Sequence, residues 1–261
     1  MTPDRSPFRL RWPHILLAVL VYLALLLAWA PASLLAWALP RFTEQAVWLD
    51  RAEGSVWRGQ AAGVRVQSAS APDLQLGRLN WQLRPLDLFS GRLGFQLQLA
   101  GAGIDAEGVL RAGTQGSELR ELRAELPARM LGQVSPDFEL WQPGGQLLFE
   151  SGQLVLRQAG IEGQGTLRWL DAVSGRVRTP LGSYRAEFKG TESGMEIKLT
   201  TESGSLNLQG SGLWSPGRGM SFFGLARPAP ESRTELEGLL GLLGPAQGDG
   251  SRAIRIDQRA H

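Results

Sequence analysis

The stretch Leu79-Asn80-Trp81-Gln82-Leu83-Arg84-Pro85-Leu86-Asp87-Leu88-Phe89-Ser90-Gly91-Arg92-Leu93-Gly94-Phe95-Gln96-Leu97-Gln98-Leu99 decides the fold. At each end apolar and polar residues alternate, so Leu79, Trp81 and Leu83 share one face of an extended chain, as do Phe95, Leu97 and Leu99. Strict period-two alternation marks strands with one buried and one wet face. Between them Pro85 cannot donate to a ladder and Gly91 permits a tight turn, so the segment reads as strand, turn, strand. The same alternation recurs at 64–67 and 74–76, and downstream at 145–149, 153–157, 165–170, 184–189, 195–200, 205–209 and 220–225. Breaks rich in Gly, Ser, Pro and Asp separate these runs. With 33 Gly in 261 residues and no collagen period, the chain predicts many short strands joined by turns.

Helical signals are few. A turn is expected at 44–50, a short helix at 126–134 with Pro127 in its first position, and a helix at 232–243 that carries Leu236, Leu239, Leu240 and Leu243 at helical spacing before Gly244-Pro245. A last strand is expected at 253–257.

Upstream of the strands the pattern is different. From Trp12 to Pro40 there is no Asp, Glu, Lys or Arg, and 15–30 is uniformly apolar or aromatic. A bilayer core needs about 20 such residues. The reading is one transmembrane helix over 12–39, with a possible kink at Pro31 and with Trp12, Trp29 and Trp37 at the interfaces. Arg5, Arg9 and Arg11 face a single Asp4 in the preceding arm 1–11, which by the positive-inside rule stays cytoplasmic. Everything from residue 40 to 261 is then periplasmic. The rival is a cleaved signal peptide, for which Ala28-Trp29-Ala30 supplies an A-x-A form. The length of the apolar run and Pro31 at the first mature position argue for an uncleaved anchor. The expected fold is therefore mainly β: a single N-terminal membrane helix, then an antiparallel, strongly bent sheet with one or two short helices.

Chemistry is sparse. The chain has no Cys, and its two His, His14 and His261, lie outside the stranded part. Thiolate sites are excluded, and the commonest base and metal ligand are missing from the domain. Outside residues 1–11 the charges balance, 24 basic against 24 acidic, so no basic face for nucleic acid is present. Gly101-Ala102-Gly103-Ile104-Asp105-Ala106 fits a relaxed nucleotide fingerprint, but a strand, not a helix, follows it, so it reads as a β-turn. Carboxylate pairs such as Glu118/Glu121 and Glu235/Glu237 sit among opposite charges, as on a solvated face. No catalytic, cofactor or metal residues are assigned. An apolar strand face could still line a groove for a lipid tail or a partner strand.

Trp recurs beside Gly at Gly54-Ser55-Val56-Trp57-Arg58-Gly59, at Gly165-Thr166-Leu167-Arg168-Trp169 and at Gly210-Ser211-Gly212-Leu213-Trp214. The spacing is irregular, and the plain reading is Trp filling a core beside Gly. The first of these, together with the anchor, the 81–93 segment Trp81-Gln82-Leu83-Arg84-Pro85-Leu86-Asp87-Leu88-Phe89-Ser90-Gly91-Arg92-Leu93 and the C-terminal Phe223-Gly224-Leu225-Ala226, then 236–244 and Asp249-Gly250, resembles the type II secretion system protein N family. The resemblance implies a non-enzymatic single-pass inner-membrane component for export of folded periplasmic proteins, in contact with other secretion-system subunits and membrane lipid. A membrane-anchored lipid-binding or lipid-transfer module holding phospholipid in an apolar groove is the alternative. Gly54, Trp57, Gly59, Trp81, Pro85 and Gly91 are its structural motif residues: Trp57 and Trp81 to fill a sheet core, Gly59 and Gly91 for tight turns or close strand approach, Pro85 to end a strand.

Overall fold

The structure is a computed structural model that describes residues 12–68, 71–88, 91–113, 116–134, 139–157, 160–191, 194–215, 218–241, 246–247 and 250–258. One antiparallel sheet dominates it. Its strands are β1 Val47–Gly54, β2 Arg58–Ser68, β3 Ala71–Gln75, β4 Arg78–Arg84, β5 Leu93–Gly101, β6 Ile104–Gly113, β7 Gly116–Pro127, β8 Pro143–Arg157, β9 Gly160–Ser174, β10 Gly182–Thr191, β11 Gly194–Ser203, β12 Leu206–Ser215, β13 Gly219–Pro228 and β14 Arg252–Gln258. They pair in chain order from β1 to β14, and β3 alone leaves the path to pair with β2.

The alternation in sequence becomes two continuous surfaces. Directly paired residues share a face, and the register joins Ala52, Ala61, Leu79, Leu99, Ala106 and Ala124 to Phe149, Leu167, Ala186, Leu199, Gly210, Gly224 and Ile254. This apolar row takes one residue from every strand on the path. The row beside it, on the opposite face, runs through Glu107, Arg123, Glu150, Thr166, Glu187 and Lys198. Aromatic rings lie over glycines on the apolar face. A Cβ at Gly59 would come within 2.5 Å of the Trp81 ring, and one at Gly210 within 2.6 Å of Phe222. Phe149 covers Gly165 and reaches Phe188 across it, ring centroids 6.3 Å apart. Trp thus fills the core beside Gly at Trp81, while Phe does so further along. Trp169 instead packs tilted against Tyr184, ring centroids 5.9 Å apart.

Helices cover the apolar face at its two ends. Near the start, α1 Trp12–Ala28 is followed by α2 Ser33–Phe42, and Ala32 and Leu35 pack with Ala61, Trp81, Leu79 and Leu97. Among the described residues the middle of the chain carries α3 Pro85–Leu88, whose Asp87 lies over Gly94 on the opposite face, and α4 Leu131–Val134. Near the end, Leu236, Leu239 and Leu240 of α5 Arg233–Leu240 join Ala172, Leu181, Tyr184, Leu206 and Ala226 in the larger core.

Several expectations need correction. The single helix expected over 12–39 is two helices with a break at 29–32. Pro31 has no N–H to give the carbonyl four residues back, and the chain there pairs with the sheet instead: Pro31 bridges Ser55, and Ala32 N–H donates to Gly54 O at 3.0 Å. No helix among the described residues is long and apolar enough to cross a membrane. The turn expected at 44–50 ends early, because β1 begins at Val47. Pro127 closes β7 rather than opening a helix, and a 3-10 turn, Ala128–Met130, separates it from α4. The runs 145–149 and 153–157 are one strand, β8, whose register shifts between Glu150 and Gln153; Ser151-Gly152 is a bulge and not a turn. The last helix ends at Leu240, and Leu243 lies outside the described residues.

Candidate functional site

Four of the six motif residues meet at one place, where the helices join the sheet. Gly54 ends β1 with φ +92°, and a Cβ there would approach Arg58 O at 2.7 Å, so the β1–β2 corner closes only with glycine. The corner projects Trp57 towards α1. Its indole Nε1–H donates to Leu27 O at 2.8 Å. Leu27 is the carbonyl four residues before Pro31, which has no N–H to give it; it accepts from Ala30 N–H at 3.2 Å, and Trp57 adds a second donor. Val56 N–H donates to Ala30 O at 2.9 Å, completing the dock together with the Ala32–Gly54 bond.

Trp81 supports the corner from below. It is 4% exposed, lies across Gly59, and its Nε1–H is shared between Ser55 O and Val56 O, each at 3.1 Å. Leu83 N–H donates to Trp57 O, which ties β4 to the same corner. The two tryptophans therefore fix the corner between them, one bonding outward to the helix break and one inward to the turn.

Pro85 and Gly91 lie apart from this junction. Pro85 opens α3 directly after β4, as its missing N–H allows. Gly91 has φ +71° and open space where a Cβ would stand, so backbone conformation and not packing selects glycine there. Sequence reasoning missed Asp87 in this loop. Asp87 is 8% exposed, with Oδ1 2.8 Å from Arg111 Nη2 on β6 and Oδ2 3.6 Å from Arg84 Nε. It also fills the space above Gly94, where a side chain would collide with its carboxylate. A carboxylate inside an otherwise apolar turn motif was the signal, since such a group is buried only with a cationic partner.

The polar face carries an open trough of about 1500 Å³ bordered by β5 through β13. The row Glu107, Arg123, Glu150, Thr166, Glu187 and Lys198 runs through it, together with apolar side chains such as Val109, Leu122, Phe188, Leu199 and Phe223. Opposite charges are neighbours: Glu187 pairs with Lys198 and Lys189 with Glu196 across β10 and β11, and Arg123 lies 3.9 Å from Glu150. No group of His, Asp and Glu able to hold a metal ion occurs among the described residues.

Comparison with known proteins agrees with the motifs. The profile of the family "Type II secretion system (T2SS), protein N" matches residues 45–255, which begins just before β1 and ends within β14. A type II secretion system protein N of Aeromonas hydrophila is 26% identical over 251 residues, covering 93% of this chain and 96% of the relative. No solved structure matches the chain. The match spans the whole sheet, including the two-tryptophan corner and the Pro85–Gly91 loop, and the chain belongs to the type II secretion system protein N family.

Proposed function

We propose that the chain is a membrane-tethered, non-catalytic subunit of the type II secretion machinery, with its sheet in the periplasm docking to other subunits. The observation that carries the tether is the junction: α1 is apolar and its described side chains are exposed, yet its C-terminal end is bonded to the sheet through Trp57. An apolar helix without a protein partner is stable only in lipid. At 1.5 Å per residue its 17 residues rise about 25 Å, somewhat short of a bilayer core of about 30 Å, a mismatch a membrane meets by local thinning. The basic arm orients α1 with its start in the cytoplasm, and the bilayer is the inner membrane. The bend expected of the sheet belongs to the same reading, since a trough bordered by nine consecutive strands suits a curved sheet better than a flat one.

The docking role is tested by deleting the gene and following export of a secreted enzyme. Export should fall and return with the wild-type chain, and other secretion subunits should copurify from detergent-solubilised membranes. Unchanged export with no copurifying subunits would remove the proposal.

A further inference from the structure

We propose that α2 is a lipid-seated platform: it lies along the membrane surface and holds the first hairpin of the sheet against the headgroups. The inference rests on the tether reading above and adds to it a second, geometrically distinct membrane contact.

The two sides of α2 differ. One is committed to protein, since Ala32 and Leu35 enter the core under β1, β2 and β4, and Pro40 is buried. The other presents Leu34, Trp37 and Arg41 at positions i, i+3 and i+7, which line up on a helix. Trp37 is 60% exposed, and the flanking Trp29 and Phe42 are 84% and 86% exposed. Two indoles, a phenyl ring and a leucine facing outward from one short segment form an apolar patch that needs a partner.

The chain itself names the occupant. The patch begins at Trp29, one residue after the last residue of α1, so whatever lipid surrounds α1 also reaches it. Its composition suits the boundary of a bilayer and not its interior: tryptophan is favoured where an indole meets both acyl chain and water. Arg41 folds back over the Trp37 ring, 3.9 Å from its centroid, and donates to Trp37 O at 2.6 Å. A cation held flat against an apolar patch keeps its charge at headgroup level. Because Ala30 and Ala32 are bonded to the β1–β2 corner, a platform on lipid sets the sheet at a fixed distance from the membrane.

The absence of Cys makes the test direct, because a single introduced thiol is the only labelling site. The full chain is placed in nanodiscs of phosphatidylethanolamine and phosphatidylglycerol with an environment-sensitive fluorophore at Leu34→Cys or Phe42→Cys. Leu20→Cys reports α1, and Ser211→Cys reports the trough. Labels at 34 and 42 should emit to the blue of the one at 211 and lose emission when the lipids carry bromine near the headgroup. Water-like emission at 34 and 42 with quenching at 20 would overturn the platform and leave the tether standing. Blue emission at 34 and 42 without bromine quenching would place protein on the patch and also overturn it. Water-like emission at 20 would remove the tether and the platform together.

Discussion

At the residue scale, the structure gives Trp57 a task that hydrophobicity alone would not assign. Its ring N–H donates to Leu27 O beside Ala30 N–H, at the carbonyl to which Pro31 has no N–H to give. Trp57→Phe keeps the ring and removes the donor, so the expected loss is about 1 kcal/mol, read as a lower Tm and faster proteolysis at 28–32. Gly59→Val should be worse, because its Cβ meets both the Trp81 ring and Glu53 O, at 2.5 and 2.6 Å. Overpacking costs about 1–3 kcal/mol, and the second contact is backbone and cannot swing away. Near-UV dichroism of the tryptophans should change with it. Asp50 offers a pH test. Two hydrogen bonds from Arg65, Nε–H to Oδ2 at 3.0 Å and Nη2–H to Oδ1 at 2.7 Å, hold its carboxyl below the ordinary aspartate value. Because the folded value lies below the unfolded one, about 3.9, the pair stabilises at neutral pH and stops doing so as pH falls through the folded value. Asp50→Asn should therefore unfold a little earlier than wild type at pH 7, and the difference should vanish as the solution is taken well below pH 4. Legibility at this scale was uneven. The importance of Trp57, Trp81 and Gly59 was visible in the motif, but their partners lie 22–30 residues away in sequence, where no local pattern reaches. Asp87 was passed over because its partner Arg111 sits two strands further on.

At the element scale, period-two alternation placed most strands well, since one face of each is apolar and the other wet. The failures share a cause. Pro127 and Ser151-Gly152 were read by their local turn chemistry, yet the neighbouring strands kept pairing through them; Glu121, with φ +51°, lies where β7 shifts register against β6. The one long helix expected over 12–39 is broken in two because hydrophobicity does not distinguish the exposed residues of α1 from residues such as Leu35 that face the sheet. The helix α5 was legible from its leucine spacing. Leu239 is 1% exposed in the larger core, so Leu239→Ala should cost about 2–5 kcal/mol, measured by denaturant midpoint in detergent. Tyr184 donates its hydroxyl to Leu206 O at 2.9 Å in the same core, where burial raises its pKa.

At the scale of the whole molecule, the sheet is nearly one-dimensional. Each inner strand on the path contacts its two neighbours, and the two compact cores lie at opposite ends, one around Trp81 and one around Tyr184. Stability in such arrays is close to a sum of neighbour terms. Hydrogen exchange on the folded chain should accordingly resolve two opening units, β1–β5 and β9–β14, and Leu239→Ala should accelerate exchange in the second while leaving the first unchanged. Uniform acceleration throughout would show that the sheet opens as one piece.

The order of pairing also has a consequence for biogenesis. Apart from β4, which reaches back past β3 to β2, every strand after β1 finds a partner in the one made just before it. Contacts this local close short loops, which is the cheap way to assemble a sheet. A polypeptide emerging from its N-terminal end can thus add hairpin after hairpin, and no early segment has to wait, sticky and unpaired, for the last one to arrive.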